Sequence, residues 1–153
     1  MTVYLLDFEE TLLDGSAIPN DLIFDLHRWM ETTVFVYLSS HMPYSGILRI
    51  VPSLLRDKFE MVISSDGTEV WQRDTLFRRL CDDYSIFDWL KSCHGDAYPF
   101  VWVTNYVERS ALLPDGCPKF KKVQRLRKRW PGARVIKAQG PAHLHKLIHS
   151  RQL

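Results

Sequence analysis

Three cysteines are all this chain has, Cys81, Cys93 and Cys117, an odd number without a C-x-x-C pair. That excludes a disulfide framework and suits a reduced, cytoplasmic setting, with the three thiols read as packing residues. No apolar run approaches the length that crosses a bilayer, so no membrane partner is expected. The opening MTVYLLDFEE lacks a basic segment, and its apolar run is too short for a signal peptide. Neither sign of charge dominates: the net charge is +2 and the isoelectric point about 8.5, which does not by itself argue for nucleic acid. Internal repeats, low-complexity tracts and linkers are missing as well. What remains is 153 residues, 46% hydrophobic and 25% charged, enough for one domain with a real core and too short for two ordinary ones. A single domain over 1–153 is the expectation.

Against that background five short runs stand out, rich in β-branched and aromatic residues: Val3–Asp7, Val34–Ser39, Met61–Ser65, Phe100–Thr104 and Arg134–Ala138. They are apolar throughout and not alternating, the pattern of strands covered on both faces. Helical stretches separate them. Pro19-Asn20-Asp21 opens the first, with Leu22, Leu26, Trp29 and Met30 at helical spacing. The second covers about Tyr44 to Asp57 and is broken at Pro52. The third is expected from about Asp74 to Lys91, with Phe77, Leu80, Tyr84, Phe87 and Leu90 on one side. A fourth runs from Lys119 to the stop at Pro131-Gly132, and the last begins at Pro141. Strand–helix alternation over the whole length predicts an α/β fold, a Rossmann-like three-layer sandwich with about five parallel strands. In such sheets ligands bind beyond the carboxyl ends of the strands, near the point where strand order reverses.

The first of those ends carries acid. VYLLDFEETLLDG takes a buried strand to Asp7 and adds Glu9 and Glu10 before the leucines return. A carboxylate at the tip of a buried strand must be kept wet or paired. Either a polar loop simply caps the strand, or the acids are there for a cation and for chemistry. The second strand ends on Ser39-Ser40-His41 and the fourth on Thr104-Asn105. Polar residues after a strand are also ordinary turn chemistry.

Asp7, Glu9 and Thr11, as D-x-E-x-T after an apolar strand, resemble the first motif of the haloacid-dehalogenase-like (HAD) superfamily of phosphatases and phosphotransferases. VFVYLSS is similar to the second motif, an apolar strand ending in Ser or Thr, with Ser39 in that place. VISSDGTEVW resembles the third-strand region of some of these phosphatases, and the C-terminal half is similar in layout to small capless members. The resemblance implies an HAD-like domain without a cap. It also implies that Asp7 is a nucleophile forming an aspartyl-phosphate, and Glu9 the general acid and base. Thr11, Ser39 and Ser40 would bind phosphate. Mg²⁺ would be held by Asp7, by the main-chain carbonyl of Glu9 and by Asn105. A capless site implies a phosphorylated substrate that is large or polymeric.

The chain departs from the family pattern at three points. Position 9 is Glu where the family usually has Asp. The fourth strand ends on Thr104-Asn105 where the family puts acids, with Glu108 one turn further on. The usual lysine ahead of the fourth strand has no clear counterpart; Arg78, Arg79, Lys91 and Lys137 are the basic residues available to stand in for it. These departures define a second expectation, a catalytically weakened pseudoenzyme that binds a phosphorylated or nucleic-acid partner.

Two further clusters invite a function. KFKKVQRLRKRW places Lys119, Lys121, Lys122, Arg125 and Lys128 on the fourth helix as candidate contacts for nucleic acid or another polyanion. Phe120, Val123, Leu126 and Trp130 recur at helical spacing, so the bland alternative is a crossover helix with a solvated basic face. His143, His145 and His149 lie near the C-terminus, the last two one turn apart. No cysteine or acid joins them nearby in sequence, and a solvated helix face is expected.

Overall fold

The computed structural model describes residues 2–32, 35–82, 85–96, 98–105 and 118–153, except for the side chains of 118–121. Elements follow in the order β1 (Val3–Asp7), α1 (Asn20–Glu31), β2 (Phe35–Ser39), α2 (Tyr44–Ile50), α3 (Ser53–Arg56) and β3 (Met61–Ser64). Next come β4 (Glu69–Gln72), β5 (Thr75–Arg79), α4 (Ser85–His94), β6 (Phe100–Thr104), α5 (Pro118–Arg129), β7 (Arg134–Lys137) and α6 (Pro141–His149). One seven-stranded sheet takes the order β5-β4-β3-β2-β1-β6-β7. β3, β2, β1, β6 and β7 are parallel, as expected from their apolar runs, and β4 and β5 extend the β3 edge antiparallel.

Both faces of β1 are covered, which is why its sequence does not alternate. Tyr4 and Leu6 join Leu22, Leu26, Leu38, Leu55, Val103, Leu144 and Leu147 in a core shared with α1, α3 and α6. Val3 and Leu5 join Tyr37, Phe87, Leu90, Trp102, Val123 and Leu126 in a second core under α4 and α5. These are the three layers of the expected α/β sandwich. Chain order proceeds from β1 outward through β2 and β3, then returns to the other side of β1 through β6 and β7. The reversal therefore falls between β1 and β6. Among the described residues no helix is long and apolar enough to cross a membrane.

Pro52 breaks the second helical stretch as expected. Val51 before it is extended, at φ −82° and ψ 116°, and the chain restarts as the short α3. The third helix is different. Residues expected to open it form β5 instead, and α4 begins only at Ser85. Gln72 pairs with Thr75, leaving Arg73 and Asp74 as a two-residue loop. Both have positive φ, 46° and 65°, the backbone twist that suits a tight hairpin. Arg-Asp lacks the usual Asn-Gly signature, so local composition conceals the turn. Tertiary contacts hold it: Tyr44 stacks on Trp71 at 4.3 Å, donates its hydroxyl to Asp74 Oδ1 at 2.7 Å and accepts the Asp74 N–H at 3.2 Å. Phe77, expected on an inward helix face, is 56% exposed on this hairpin. Tyr84 lies outside the described residues. Cys81 and Cys93 are exposed thiols and not the packing residues expected, while Cys117 lies outside the described residues.

Candidate active site

The sheet brings three strand tips together. Asp7 pairs in register with Ser39 on β2, and on its other side β1 lies against β6. Odd positions of β1 face α4 and α5, so the Asp7 side chain follows Leu5 onto that face. Trp102 and Thr104, two residues apart on β6, point the same way and both meet the carboxylate. Trp102 Nε1 donates to Asp7 Oδ1 at 2.9 Å, and Thr104 Oγ1 donates to Oδ2 at 2.5 Å. Trp102 is fully buried, so the indole fixes the carboxylate from within the core.

After Asp7 the chain turns sharply over the tip of β2. Phe8 N–H donates to the Ser39 carbonyl at 2.9 Å, and the Phe8 ring returns to the α1 side of the core. Glu9 then sits against the β2 turn. Its Oε1 accepts the Ser40 hydroxyl at 2.5 Å and the His41 N–H at 3.0 Å, while Ser40 Oγ accepts the Met42 N–H at 3.0 Å. The serine is thus held by one bond and positions the acid with the other. Ser39 is buried beside it, and the His41 ring is exposed and paired with Asp66.

Glu10 adopts a positive φ of 61° and accepts a hydrogen bond from Asn105 Nδ2. Asn105 Oδ1 is buried and has no hydrogen-bond partner among the described residues, and the same holds for Thr11 Oγ1. A buried acceptor without a donor is costly, and a cation or donor near it relieves the cost. Asp7, Asn105 and the Glu9 main chain offer carboxylate, amide and carbonyl oxygens, the hard donor types that Mg²⁺ takes. The residues therefore fit that ion in kind, with one neutral ligand where a second carboxylate would add charge. Glu108, the acid that follows in sequence, lies outside the described residues.

The basic residues sort differently from the expectation. Arg79 pairs with Glu69 at 3.2 Å, and Lys91 pairs with Asp96 at 3.2 Å and donates to the Arg129 carbonyl. Lys122, expected on the solvent-facing stripe, is turned inward and only 6% exposed. Its Nζ lies 5.3 Å from the ring centre of Trp102 and 5.6 Å from that of Phe87. A cation over these faces is electrostatically favoured, and Trp102 is the residue that grips Asp7. Lys122, Leu126 and Trp130 follow at i, i+4 and i+8, so the helical period already placed the lysine on the buried stripe. Arg125 and Lys128 are exposed, and the side chains of Lys119, Lys121 and Phe120 lie outside the described residues.

Further along the same face as Asp7, the Tyr37 hydroxyl and His94 Nε2 are 2.6 Å apart. Burial pushes the tyrosine well above its ordinary range, with Glu60 adding to the effect. Burial likewise lowers His94 below its usual 6.5, partly opposed by Glu60. A cavity of about 710 Å³ opens beside Asp14, between the first turns of α1 and α6. It is lined by Asp14, Asp21, Gly140, His143, His145 and Lys146 among others. Gly140 takes φ 139°, a conformation for which a side chain is poorly suited, and lets Pro141 open α6.

No protein-family model matches the chain, and no curated protein does. Solved structures do. A phosphatase of the HAD superfamily from Bacteroides thetaiotaomicron is 22% identical with a TM-score of 0.44, over 61% of this chain and 34% of that one. A haloacid dehalogenase-like hydrolase from Bacteroides thetaiotaomicron is 18% identical with a TM-score of 0.45, over 92% of this chain and 53% of that one. An HAD subclass IIB sugar phosphatase is 12% identical with a TM-score of 0.40, over 60% of this chain and 36% of that one. The chain thus spans between a third and about half the length of these structures.

Proposed function

We propose that the chain is an HAD-type, Mg²⁺-dependent phosphohydrolase or phosphotransferase that works through an aspartyl-phosphate on Asp7. One observation carries the reading. The Asp7 carboxylate stands at the carboxyl end of the central strand, where strand order reverses, level with Ser39 and bonded to Thr104. In an open parallel sheet that crevice is where ligands bind.

In this mechanism an Asp7 oxygen attacks phosphorus, the new O–P bond forms, and the bond from phosphorus to the leaving oxygen breaks. Trp102 and Thr104 hold the carboxylate in line for attack. With Oε1 of Glu9 taken by Ser40 and His41, Oε2 is the oxygen that carries a transferable proton. Glu9 protonates the leaving oxygen, then takes a proton from the water that attacks the phosphoryl group and frees Asp7. Ser39 donates to a phosphate oxygen. Asp7, Asn105 and the Glu9 carbonyl would hold Mg²⁺, which would offset the combined charge of carboxylate and phosphate. The substrate class is a phosphate ester.

A second reading, a binding module that has lost turnover, draws on two features. Both Asp7 oxygens already accept bonds from neutral donors, and Asn105 stands where a second acid would strengthen the metal seat. Titration with Mg²⁺ and beryllium fluoride, a mimic of phosphorylated aspartate, tests the enzyme reading. Saturable binding that needs Mg²⁺ and disappears in Asp7→Asn supports it. No binding by either protein sinks it and leaves the module.

A further inference from the structure

The histidines of α6 do not face solvent alone. Asp25, midway along α1, reaches both His145 and His149: Oδ2 contacts His145 Nδ1, and Oδ1 lies 3.0 Å from His149 Nε2. One ligand atom from each of the three residues falls within 4.8 Å of the others. We propose that Asp25, His145 and His149 form a binding site for a first-row divalent transition metal, with Zn²⁺ as the ion of choice.

Four features point there. Two imidazole nitrogens and one carboxylate oxygen are a donor set that suits Zn²⁺ and its neighbours, in contrast to the all-oxygen set around Asp7. The spacing is right: bonds of about 2.0–2.2 Å to a tetrahedral ion place ligand atoms roughly 3.3 Å apart, so the cluster closes on an ion with small side-chain adjustments. The two histidines are one turn apart on α6, with ring centres 4.3 Å apart, so both imidazoles reach the same point beside Asp25. Finally, the Asp25 side chain is 13% exposed, whereas those of His145 and His149 are 37% and 55% exposed. The acid is held in the protein while the imidazoles leave solvent a path and a fourth position for water.

The site joins α1 to α6 on the face of the sheet opposite the Asp7 side chain, so it stands independently of the phosphoryl-transfer reading. Binding requires both coordinating nitrogens to give up any proton they carry, so metal uptake releases protons and weakens in acid. An ion held by the folded chain and not by the unfolded one raises thermal stability in proportion to its occupancy.

The test uses the untagged full chain, titrated with Co²⁺ as a spectroscopic stand-in and then with Zn²⁺. The expected result is one equivalent of Co²⁺ with visible bands of four-coordinate intensity, displaced by Zn²⁺, and a thermal midpoint that rises with Zn²⁺. His149→Ala removes a mostly exposed ligand and leaves the fold intact; affinity should fall at least about 10-fold, since even supporting partners of a metal site cost that much. Asp25→Asn should weaken binding as well, and His143→Ala, outside the cluster, should not. Absence of Co²⁺ bands and of a thermal shift in the wild-type chain would overturn the proposal. Equal affinity in His149→Ala, or equal losses in His143→Ala and His149→Ala, would do the same.

Discussion

Asp7 and Asp25 are both aspartates that use two carboxylate oxygens to bridge distant parts of the chain, yet their partners make them different groups. Asp7 is gripped by an indole N–H and a threonine hydroxyl. The indole can only donate, so that contact orients the carboxylate without competing for an electrophile. Asp25 is gripped by two imidazoles, each able to donate a proton or to offer a lone pair. The first arrangement aims an acid at an open strand tip; the second gathers ligands around a point. A carboxylate's chemistry is thus set by what its neighbours can give, more than by its own exposure.

Substitution separates the two. Asp7→Asn should produce the largest effect, a loss of phosphoryl transfer of about 10⁴-fold or more, as expected for a reacting nucleophile, with thermal stability little changed. Asp25→Asn should leave phosphoryl transfer within about twofold, because its side chain is on the other face of the sheet. A matching loss of turnover in the two variants, measured on a generic aryl phosphate, would erase the distinction.

Next in size is the grip on Asp7. Trp102→Ala removes a fully buried ring and should cost roughly 3–5 kcal/mol by denaturant unfolding. Trp102→Phe keeps most of the packing and deletes only the N–H to Asp7. It should cost less, about 1–3 kcal/mol, and should lower turnover more than substrate affinity. Equal stability losses in the two variants would mean that the hydrogen bond and not the packing dominates.

A smaller effect is expected at the acid beside Asp7. Ser40→Ala frees Glu9 Oε1 from its hydroxyl donor and should lower kcat about 10-fold with little change in KM, because the proton donor is no longer held in place. A change confined to KM would place Glu9 in binding and not in proton transfer.

The smallest effect is a pH dependence on the Asp7 side of the sheet. His94 is held below its ordinary value of 6.5 by burial against Tyr37. Between its folded value and 6.5 the unfolded chain binds more protons than the folded one, so stability rises with pH across that window. His94 therefore supports the fold fully above 6.5, and that support is lost as pH falls through 6.5 toward the folded value. His94→Gln should flatten this part of the profile of thermal midpoint against pH. An unchanged profile would assign the acid sensitivity to other groups.

Much of this molecule was legible residue by residue. Continuous apolar runs such as VYLLD and FVWVT mark strands buried on both faces, because local composition already reflects two-sided burial. Pro52 and Pro141 announce a helix break and a helix start through φ and the missing N–H, both properties of the residue itself. The β4–β5 hairpin was hidden because Arg73-Asp74 is not a usual turn pair, and its tie to the rest of the fold, Tyr44 stacked on Trp71 and bonded to Asp74, is tertiary. Lys122 was half legible: its helical period matches Leu126 and Trp130, but charge argued for solvent and the aromatic faces that receive it come from β6 and α4.

The layers, the parallel strands and the acid at the tip of β1 follow from local pattern and side-chain chemistry alone. Which donors meet that acid depends on the packed fold, because Trp102 and Thr104 lie 95 and 97 residues away from Asp7. The same packing brings Asp25 to the histidines from 120 and 124 residues away. Such meetings depend on strand order and helix docking, and those are set by the burial of two whole cores and not by any short stretch of chain.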